Sequence, residues 1–512
     1  MNLDDAPERL GPLAQPAAAA LAELTERNAV SRAWSADHTL WRDDPTEVAD
    51  RLGWLTVVPD MVTGLDGLRA ACEQATADVD HVLLMGMGGS SLFPEVLARA
   101  GDPRPGAPTL HVLDTTDPDA IARLATELPA ERTLHVAASK SGSTLETRSH
   151  LAWAWERHPD PTRFAVITDP GSDLGALARE RSFRAVWENR PDIGGRYSAL
   201  SLFGVVPGLL AGVDVPALLS SANAMAERLR TSPSANPAAR LAATMAAGVR
   251  NGRDKLTIVV PDEFAVFGLW VEQLIAESTG KDGTGILPVV GEPLGAPDAY
   301  GDDRVFVGLG AVSGLDALAD AGHPVVVLPF EGEFAEVGGQ VLLWELATAL
   351  AGALLDIQPF DQPDVAAAKA ATAEVLAEGP PDLPTSSLDE VLAQVEPGDY
   401  LAIQAFVDPG SPAVAQLEAA RAVLRDRLKV ATTLGLGPRF LHSTGQLHKG
   451  GPPTGVFVQV VTDTGTDVPI PGEDYGFGTL IRAQADGDMV TLADRKRRAG
   501  RVLLDELLAV TT

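Results

Sequence analysis

The chain has 512 residues and 45% hydrophobic content, a length that exceeds one compact core and favours two or three packed lobes. Its formal net charge of −30 argues against nucleic acid or anionic lipid as a partner, because binding to either depends on a cationic surface. The one cysteine, Cys72, cannot form an intrachain disulfide, and no secretory leader pattern opens the chain, so we expect a cytoplasmic protein with no membrane partner.

The first lobe follows a helical beginning. Residues 1–60 are rich in Ala, Leu and Glu with helical periodicity, which predicts an N-terminal helical segment. Beyond it, short β-rich runs alternate with helical stretches, and the predicted strands are residues 81–85, 109–113, 134–138, 164–168 and 183–187. This alternation is typical of a parallel, doubly wound sheet, so we assign residues 61–230 to a first α/β lobe. The apolar stretch 199–213 predicts a buried helix, since it is too short to span a bilayer.

A second lobe is predicted after the Ser-, Pro- and Asn-containing stretch 231–237. Its predicted strands are residues 256–260, 305–308, 325–330, 400–406 and 455–461. We assign residues 238–430 to this lobe and residues 431–512 to a C-terminal segment that completes it. The predicted fold is therefore α/β, with two tandem doubly wound parallel sheets, N-terminal helices and a C-terminal extension. Such sheets bind ligands at the carboxyl ends of their strands.

Two loops at strand ends in the first lobe are rich in hydrogen-bond donors. Residues 86–91 read Gly-Met-Gly-Gly-Ser-Ser, and residues 139–144 read Ser-Lys-Ser-Gly-Ser-Thr. Backbone amides, hydroxyls and an ammonium group together suit a phosphate dianion. The first loop could instead be a ligand-free turn, and the second a capping box of Ser143 or Thr144 with Glu146 or Thr147. The predicted phosphate-binding residues are Gly89, Ser90, Ser139, Lys140, Ser141, Ser143 and Thr144.

Charged residues mark two further segments. Arg196 stands at the start of the predicted buried helix and needs an anionic partner there. In the second lobe, a predicted helix over residues 264–279 places Gln273 and Glu277 four residues apart, and hence on one face. The helix dipole disfavours a carboxylate in the last turn, which suits a group that must accept a proton.

In this order, the segments resemble the phosphoglucose isomerase family, whose two lobes have the sugar isomerase fold. The matching segments are residues 88–90, 139–144, 194–198, 277–281 and 360–363, with Lys369. The resemblance implies a metal-free, cofactor-free interconversion of glucose 6-phosphate and fructose 6-phosphate through an enediolate, in glycolysis and gluconeogenesis. It implies that Glu277 moves the proton and that Arg196 stabilises the enediolate. It places Lys369 beside the ring oxygen and gives Gln273 and Gln362 contacts to the sugar.

One family motif is displaced in this chain. Members of the family carry a ring-opening histidine soon after the glutamate helix, but residues 282–322 contain no histidine. Residues 441–446, Leu-His-Ser-Thr-Gly-Gln, match the missing segment, so we assign ring opening to His442, with His448 as the weaker candidate. The displaced motif resembles the isomerase half of fused transaldolase and isomerase chains, and nothing here resembles the transaldolase half. In the family this histidine comes from the neighbouring subunit, which implies a homodimer.

Two other functions compete with this interpretation. A non-catalytic sugar-phosphate regulator with the same fold would need the phosphate loops but not Glu277, Arg196 and Lys369. An isomerase with activity on mannose 6-phosphate would keep all of these residues and differ in its contacts to the hydroxyl at C2.

Overall fold

The computed structural model describes residues 8–462, 465 and 467–511, in which helices pack against three β-sheets. The strands β1 to β14 are Glu8–Arg9, His81–Met85, Thr109–Leu113, Thr133–Ala138, Phe164–Thr168, Ala185–Glu188, Lys255–Val259, Leu287–Val290, Arg304–Leu309, Val325–Leu328, Tyr400–Phe406, Ala431–Leu436, Gly455–Val461 and Arg498–Val502. The helices α1 to α19 are Ala14–Glu26, Ala29–Trp34, Val57–Thr76, Leu92–Ala100, Pro118–Glu127, Leu145–Arg157, Asp173–Glu180, Leu202–Leu210, Val215–Arg228, Pro237–Arg250, Ala265–Thr279, Leu315–Asp320, Glu336–Leu354, Pro363–Glu378, Leu388–Leu392, Ala413–Leu428, Gly445–Gly450, Phe477–Asp494 and Leu504–Leu508.

The first sheet has the strand order β3-β2-β4-β5-β6, and all neighbours are parallel. Its central strands are buried on both faces because helices cover both sides. The chain leaves β2 toward β3 on one side and returns to β4 on the other, so the carboxyl ends of β2 and β4 flank a topological switch point. The α/β class is confirmed, and the predicted strands 81–85, 109–113 and 164–168 have the predicted bounds.

The second sheet has the order β1-β10-β9-β7-β8. Four of its strands are parallel, and the short β1 pairs antiparallel with β10 at the edge. The sequence analysis missed β1 and β8, because a two-residue strand and the proline-containing Leu287–Val290 give little periodicity. The helix α11 follows β7 and contacts both β8 of this sheet and the loop after β2 of the first one.

The third sheet corrects the predicted organisation. The strands at 400–406 and 455–461 were assigned to the second lobe, but they pair with β12 and β14 in a separate parallel sheet of order β12-β11-β13-β14. The proposed boundary at residue 430 falls between β11 and β12. Periodicity identifies strands but not their pairing partners, which explains the error. Leu287 and Val289 of the second sheet share a core cluster with Tyr400 and Phe457 of the third.

Apolar helices fill the core between these layers. The predicted buried helix is α8, Leu202–Leu210, with all but its first residue buried. Within the part of the chain that the structure describes, α13 is long and apolar enough to cross a membrane, but its apolar window is buried inside the protein. In the N-terminal segment, α1 and α2 are helices as predicted, whereas Glu8 and Arg9 form an edge strand, and residues 1–7 lie outside the described residues.

Candidate active site

A cavity of about 580 Å³ opens at the carboxyl edge of the first sheet. Its walls come from the loops after β2, β4 and β5, from the end of α11, and from the segment that follows β12. Twelve of the thirteen residues proposed from the sequence line it: Gly89, Ser90, Lys140, Ser141, Ser143, Thr144, Arg196, Gln273, Glu277, Gln362, Lys369 and His442. The thirteenth, Ser139, is buried behind the wall. Residues that are far apart in the sequence therefore meet at one site.

The loop after β2 passes too close to its neighbours for a side chain at two positions. A Cβ at Gly89 would lie 1.9 Å from the carbonyl oxygen of Gly195. Gly88 has φ of +55°, and a Cβ there would lie 2.8 Å from the side-chain nitrogen of Gln273. Only glycine combines this backbone conformation with this approach. The Gly-Gly pair thus brings the backbone of the loop against the arginine segment and the α11 helix.

The hydroxyl groups of the loop after β4 form hydrogen bonds within that loop. Ser139 Oγ lies 2.9 Å from Thr144 Oγ1 and accepts a hydrogen bond from the amide of Gly142. Ser141 Oγ and Ser143 Oγ lie 2.9 Å apart at the cavity surface. The loop leads directly into α6, whose N-terminus adds a partial positive charge. The alternative capping box is contradicted, because Thr144 makes no side-chain cap at that helix.

Lys140, predicted as a phosphate ligand, already has two partners within the protein. Its ammonium group forms an ion pair with Asp169, in the loop after β5, and donates to the carbonyl oxygen of Pro191 at 2.8 Å. Burial raises the pKa of the Asp169 carboxyl, and the lysine opposes this shift. Lys140 therefore neutralises an acid at the rim of the cavity as well as contributing positive charge to it.

Arg196 is the most tightly held charge in the site. Its side chain is 1% exposed, and its Nη1 lies 3.1 Å from Glu277 Oε1. The guanidinium donates to Ser278 Oγ at 2.8 Å, to Gln362 Oε1 at 2.7 Å, and to the carbonyl oxygens of Pro359 and Asp361. A buried arginine with its donors matched in this way cannot swing toward solvent. It is a fixed cation beside the carboxylate.

Glu277 and Gln273 share one face of α11, as predicted from their spacing. Gln273 Nε2 donates to Glu277 Oε2 at 3.0 Å and also to the carbonyl oxygen of His442 at 2.8 Å. Each oxygen of Glu277 thus has one partner, the arginine on one side and the amide on the other. The carboxylate is oriented at the cavity surface with its side chain 11% exposed.

Lys281 is a buried cation that the sequence analysis did not single out. It follows the end of α11 and donates to the carbonyl oxygen of Gln358 and to Asp361, both at 2.6 Å. Burial, together with repulsion from Arg196, lowers the pKa of Lys281 to about 7, although Asp361 raises it. Its contacts anchor the segment that carries Gln362. The sequence places it in the Glu277–Lys281 motif, but no pattern indicated that it would be buried.

His442 reaches the cavity from the third sheet within the same chain. It ends a short 3₁₀ turn, Arg439–His442, after β12, and its Nε2 lies 2.9 Å from Glu146 Oε1. Arg439, at the start of the turn, makes two contacts of 2.8 Å to Asp114 at the end of β3. The turn is therefore tied to the first lobe at both ends.

Glu146 is the functional candidate that sequence reasoning missed. Burial alone would raise the pKa of its carboxyl, but attraction and a hydrogen bond from His442 lower that pKa to about 2. An ionised Glu146 can only accept, so His442 Nε2 carries the proton in their hydrogen bond and Nδ1 is the nitrogen left for exchange with a ligand. The sequence signal was its place two residues after Thr144, which also fits a helix cap.

Lys369 and Gln362 complete the wall. Lys369 lies on α14 and is exposed at the rim, and Gln362 precedes the first turn of that helix. His448, the weaker histidine candidate, lies on α17 and is buried away from the cavity against the third sheet, where it contacts Gln404, Tyr400 and Phe457. That position rules out direct contact between His448 and a ligand in this cavity.

The arrangement separates three chemical tasks. Hydroxyls, amides and a helix N-terminus suit a phosphate at one end. A carboxylate beside a fixed guanidinium suits transfer of a proton from carbon with stabilisation of the oxyanion that forms. A histidine paired with a buried carboxylate suits proton exchange with an oxygen.

Comparison with known proteins gives a consistent result. The family model described as phosphoglucose isomerase matches residues 56–286. Glucose-6-phosphate isomerase of Rubrobacter xylanophilus is 31% identical over 366 residues, which cover 59% of this chain and 83% of that protein. Glucose-6-phosphate isomerase of Synechococcus sp. JA-3-3Ab is 31% identical over 349 residues, covering 58% of this chain and 66% of that one.

Two solved structures share the fold. A hypothetical protein from Thermus thermophilus superimposes with a TM-score of 0.61 at 26% identity, covering 72% of this chain and 100% of that one. A glucose-6-phosphate isomerase from Chlamydia trachomatis superimposes with a TM-score of 0.53 at 22% identity, covering 68% of this chain and 78% of that one.

Proposed function

The chain belongs to the phosphoglucose isomerase family, and we propose that it interconverts glucose 6-phosphate and fructose 6-phosphate with Glu277 as the proton-transfer base. The observation that carries this proposal is the contact of 3.1 Å between Glu277 and the immobile Arg196, at a cavity whose other wall is rich in phosphate donors. The phosphate binds to the loops that contain Ser90 and Ser141, and the sugar extends from there toward Glu277.

The reaction begins with ring opening. His442 Nδ1 takes the proton of the hydroxyl at C1 and passes it to the ring oxygen, so the C1–O5 bond breaks and an aldehyde forms. Glu146 keeps the imidazole in the orientation this step requires. Lys369 stands at the rim, where its charge stabilises the oxygen that leaves C1.

Isomerisation then moves one proton between carbons. Glu277 takes the proton from C2, the electron pair forms a C1=C2 double bond, and negative charge develops on the oxygen at C1. Arg196 stabilises that charge without having to reorganise, because its other contacts already fix it. The proton of the C2 hydroxyl passes to the oxygen at C1, and Glu277 returns its proton to C1 as the oxygen at C2 becomes the ketone carbonyl.

The test is a coupled assay of fructose 6-phosphate conversion after treatment with a chelator, with Glu277→Gln as the variant. We expect a loss of at least about 10²–10⁴ in kcat, the range supplied by a positioned base. Glu272→Gln is the matched control on the same helix, α11. Burial raises the pKa of Glu272 to about 8, so this side chain is neutral at pH 7 and the glutamine preserves its charge and shape.

The outcomes separate the rival functions. Turnover in wild type that Glu277→Gln abolishes and Glu272→Gln keeps supports the proposal. Binding of sugar phosphate without turnover in wild type would favour a regulator. Turnover of mannose 6-phosphate at a comparable kcat/KM would extend the proposal to a second substrate.

Assembly and location complete the proposal. We keep the homodimer that the family resemblance implies, but His442 lies in the cavity of its own chain, so the partner is not needed to supply it. Activity per chain should therefore stay constant on dilution below the dimer's dissociation constant. A cytoplasmic location is proposed from the single cysteine, Cys72, which is buried.

A further inference from the structure

Gln484 connects the third unit of the chain, the one built on the third sheet, to the histidine of the active site. It lies on α18 and is 3% exposed, with both polar atoms of its amide in hydrogen bonds. Its Oε1 lies 2.6 Å from the hydroxyl oxygen of Thr116, in the loop after β3. Its Nε2 donates to Glu146 Oε1 at 2.7 Å.

The orientation of this amide is determined by its neighbours. Glu146 is ionised, as its lowered pKa indicates, and can only accept hydrogen bonds. The NH₂ group of Gln484 must therefore face the carboxylate, because the opposite orientation would place two acceptors against each other. The Gln484 oxygen then faces the hydroxyl of Thr116, which donates to it.

His442 and Gln484 both contact the same carboxylate oxygen of Glu146. His442 Nε2 lies 2.9 Å and Gln484 Nε2 lies 2.7 Å from the same Oε1. A carboxylate held by a histidine alone could rotate about its terminal torsion, which has a broad energy profile. The second donor, itself fixed by the fully buried Thr116, restricts that rotation. The position of Oε1, and with it the direction of the imidazole, is therefore set from the third unit.

We propose that Gln484 is a positioning residue for His442: it fixes the Glu146 oxygen that orients the imidazole for ring opening. This inference rests on the proposed role of His442 in opening the sugar ring. Gln484 does not line the main cavity, and it borders a smaller one of about 250 Å³ behind Glu146 and His442. It acts through Glu146 and not on the substrate itself.

The test compares a substrate that must open with one that cannot close. Glucose 6-phosphate requires ring opening, whereas in a tetrose 4-phosphate the C4 oxygen is esterified and cannot close a furanose ring. Exchange of the C2 proton of the tetrose with solvent deuterium reports on Glu277 alone. Gln484→Met keeps the length of the side chain and removes both hydrogen bonds. Thr116→Val keeps its shape and removes the donor to Gln484.

We expect Gln484→Met to lower kcat/KM on glucose 6-phosphate by about 10- to 100-fold, the effect of losing a hydrogen bond to a charged group. Thr116→Val loses a bond between neutral groups and should lower kcat/KM by about 2- to 10-fold. Both variants should leave tetrose exchange within twofold. Gln340→Met, a buried glutamine outside this site, is the matched control and should change neither rate. Selective ¹⁵N labelling of histidine should show His442 as the Nε2–H tautomer in wild type and as a mixture in Gln484→Met.

Two results would overturn the inference. One is a Gln484→Met enzyme that opens the ring within twofold of wild type while His442→Ala does not. The other is a parallel fall of ring opening and tetrose exchange, which would indicate general damage and not positioning. If His442→Ala itself turns over glucose 6-phosphate normally, the proposed role of His442 has failed, which is a separate result.

Discussion

Each five-stranded sheet carries a cavity at the carboxyl ends of its strands, and the two cavities differ in lining. The first, of about 580 Å³, is bordered by glycines, hydroxyls and the Glu277–Arg196 pair. The second, of about 360 Å³, lies beyond β9 and β10 and is bordered largely by apolar groups such as Met225, Val327 and Phe330. The fold therefore supplies a crevice in both places, and the side chains alone decide which one suits a sugar phosphate.

The difference between the two cavities can be tested by mutation, and the largest effect on activity is expected from Arg196→Lys. Lysine cannot reproduce the fork that binds Gln362, Ser278 and two carbonyl oxygens, so the cation would lose its fixed position. We expect kcat to fall by about 10²–10³. Arg190→Lys is the control, since Arg190 makes partly exposed ion pairs with Asp60 and Asp192. Equal losses of kcat for Arg196→Lys and Arg190→Lys in steady-state assays would show that the Glu277–Arg196 pair does not distinguish the first cavity.

The next effect is expected from His442→Ala. Ring-closed substrate should be turned over roughly 10²-fold more slowly, the lower end of the range for general acid catalysis, while C2 exchange on an open-chain analogue survives. Rapid-mixing assays on both substrates check this. Full retention of both activities would show that His442, and with it the segment after the third-sheet strand β12, takes no part in catalysis.

A smaller effect should follow from crowding the loop at Gly89. In Gly89→Ala the new Cβ would collide with the Gly195 oxygen, so the loop must move away from Arg196. We expect a loss of about 1–3 kcal/mol in the free energy of unfolding and a raised KM. Gly67→Ala, on α3 with open space around it, should be neutral or slightly stabilising in the same denaturant titration.

The pH dependence of stability should change with Lys281→Met. The unfolded chain keeps the Lys281 proton up to a pH of about 10.4, whereas the folded chain releases it near pH 7. Between these values unfolding takes up a proton, so rising pH favours the folded state. The unfolding free energy of wild type minus that of Lys281→Met should therefore rise from pH 7 to pH 9. If this difference in unfolding free energy does not change with pH, the Lys281 ammonium group is not buried as the structure shows it.

The smallest effect is expected in the second cavity. Phe330→Leu removes an edge contact with Phe264, whose ring centroid lies 4.8 Å away, and should cost about 1 kcal/mol of stability. KM and kcat should not change. A raised KM in this variant would show that the second cavity also takes part in substrate binding.

Local patterns predicted the site better than they predicted the architecture. The spacing of Gln273 and Glu277 indicated their common face, and the match of residues 441–446 to a displaced motif led to His442. Both depend on short segments that the structure keeps intact. The third sheet depends on pairing between strands far apart in sequence, which periodicity does not encode. Glu146 was missed for the same reason, since its partner His442 is 296 residues away.

The place of His442 in the chain also has a consequence for synthesis on the ribosome. The first sheet, Glu277 and Arg196 are all made before the strands β12 to β14, and domains generally fold as units from the N-terminus. A nascent chain that has emerged as far as α14 holds Glu277 and Arg196, the proposed proton-transfer pair, but not His442. We expect it to process only open-chain sugars, so that the ability to open the ring is acquired last, when the third sheet closes.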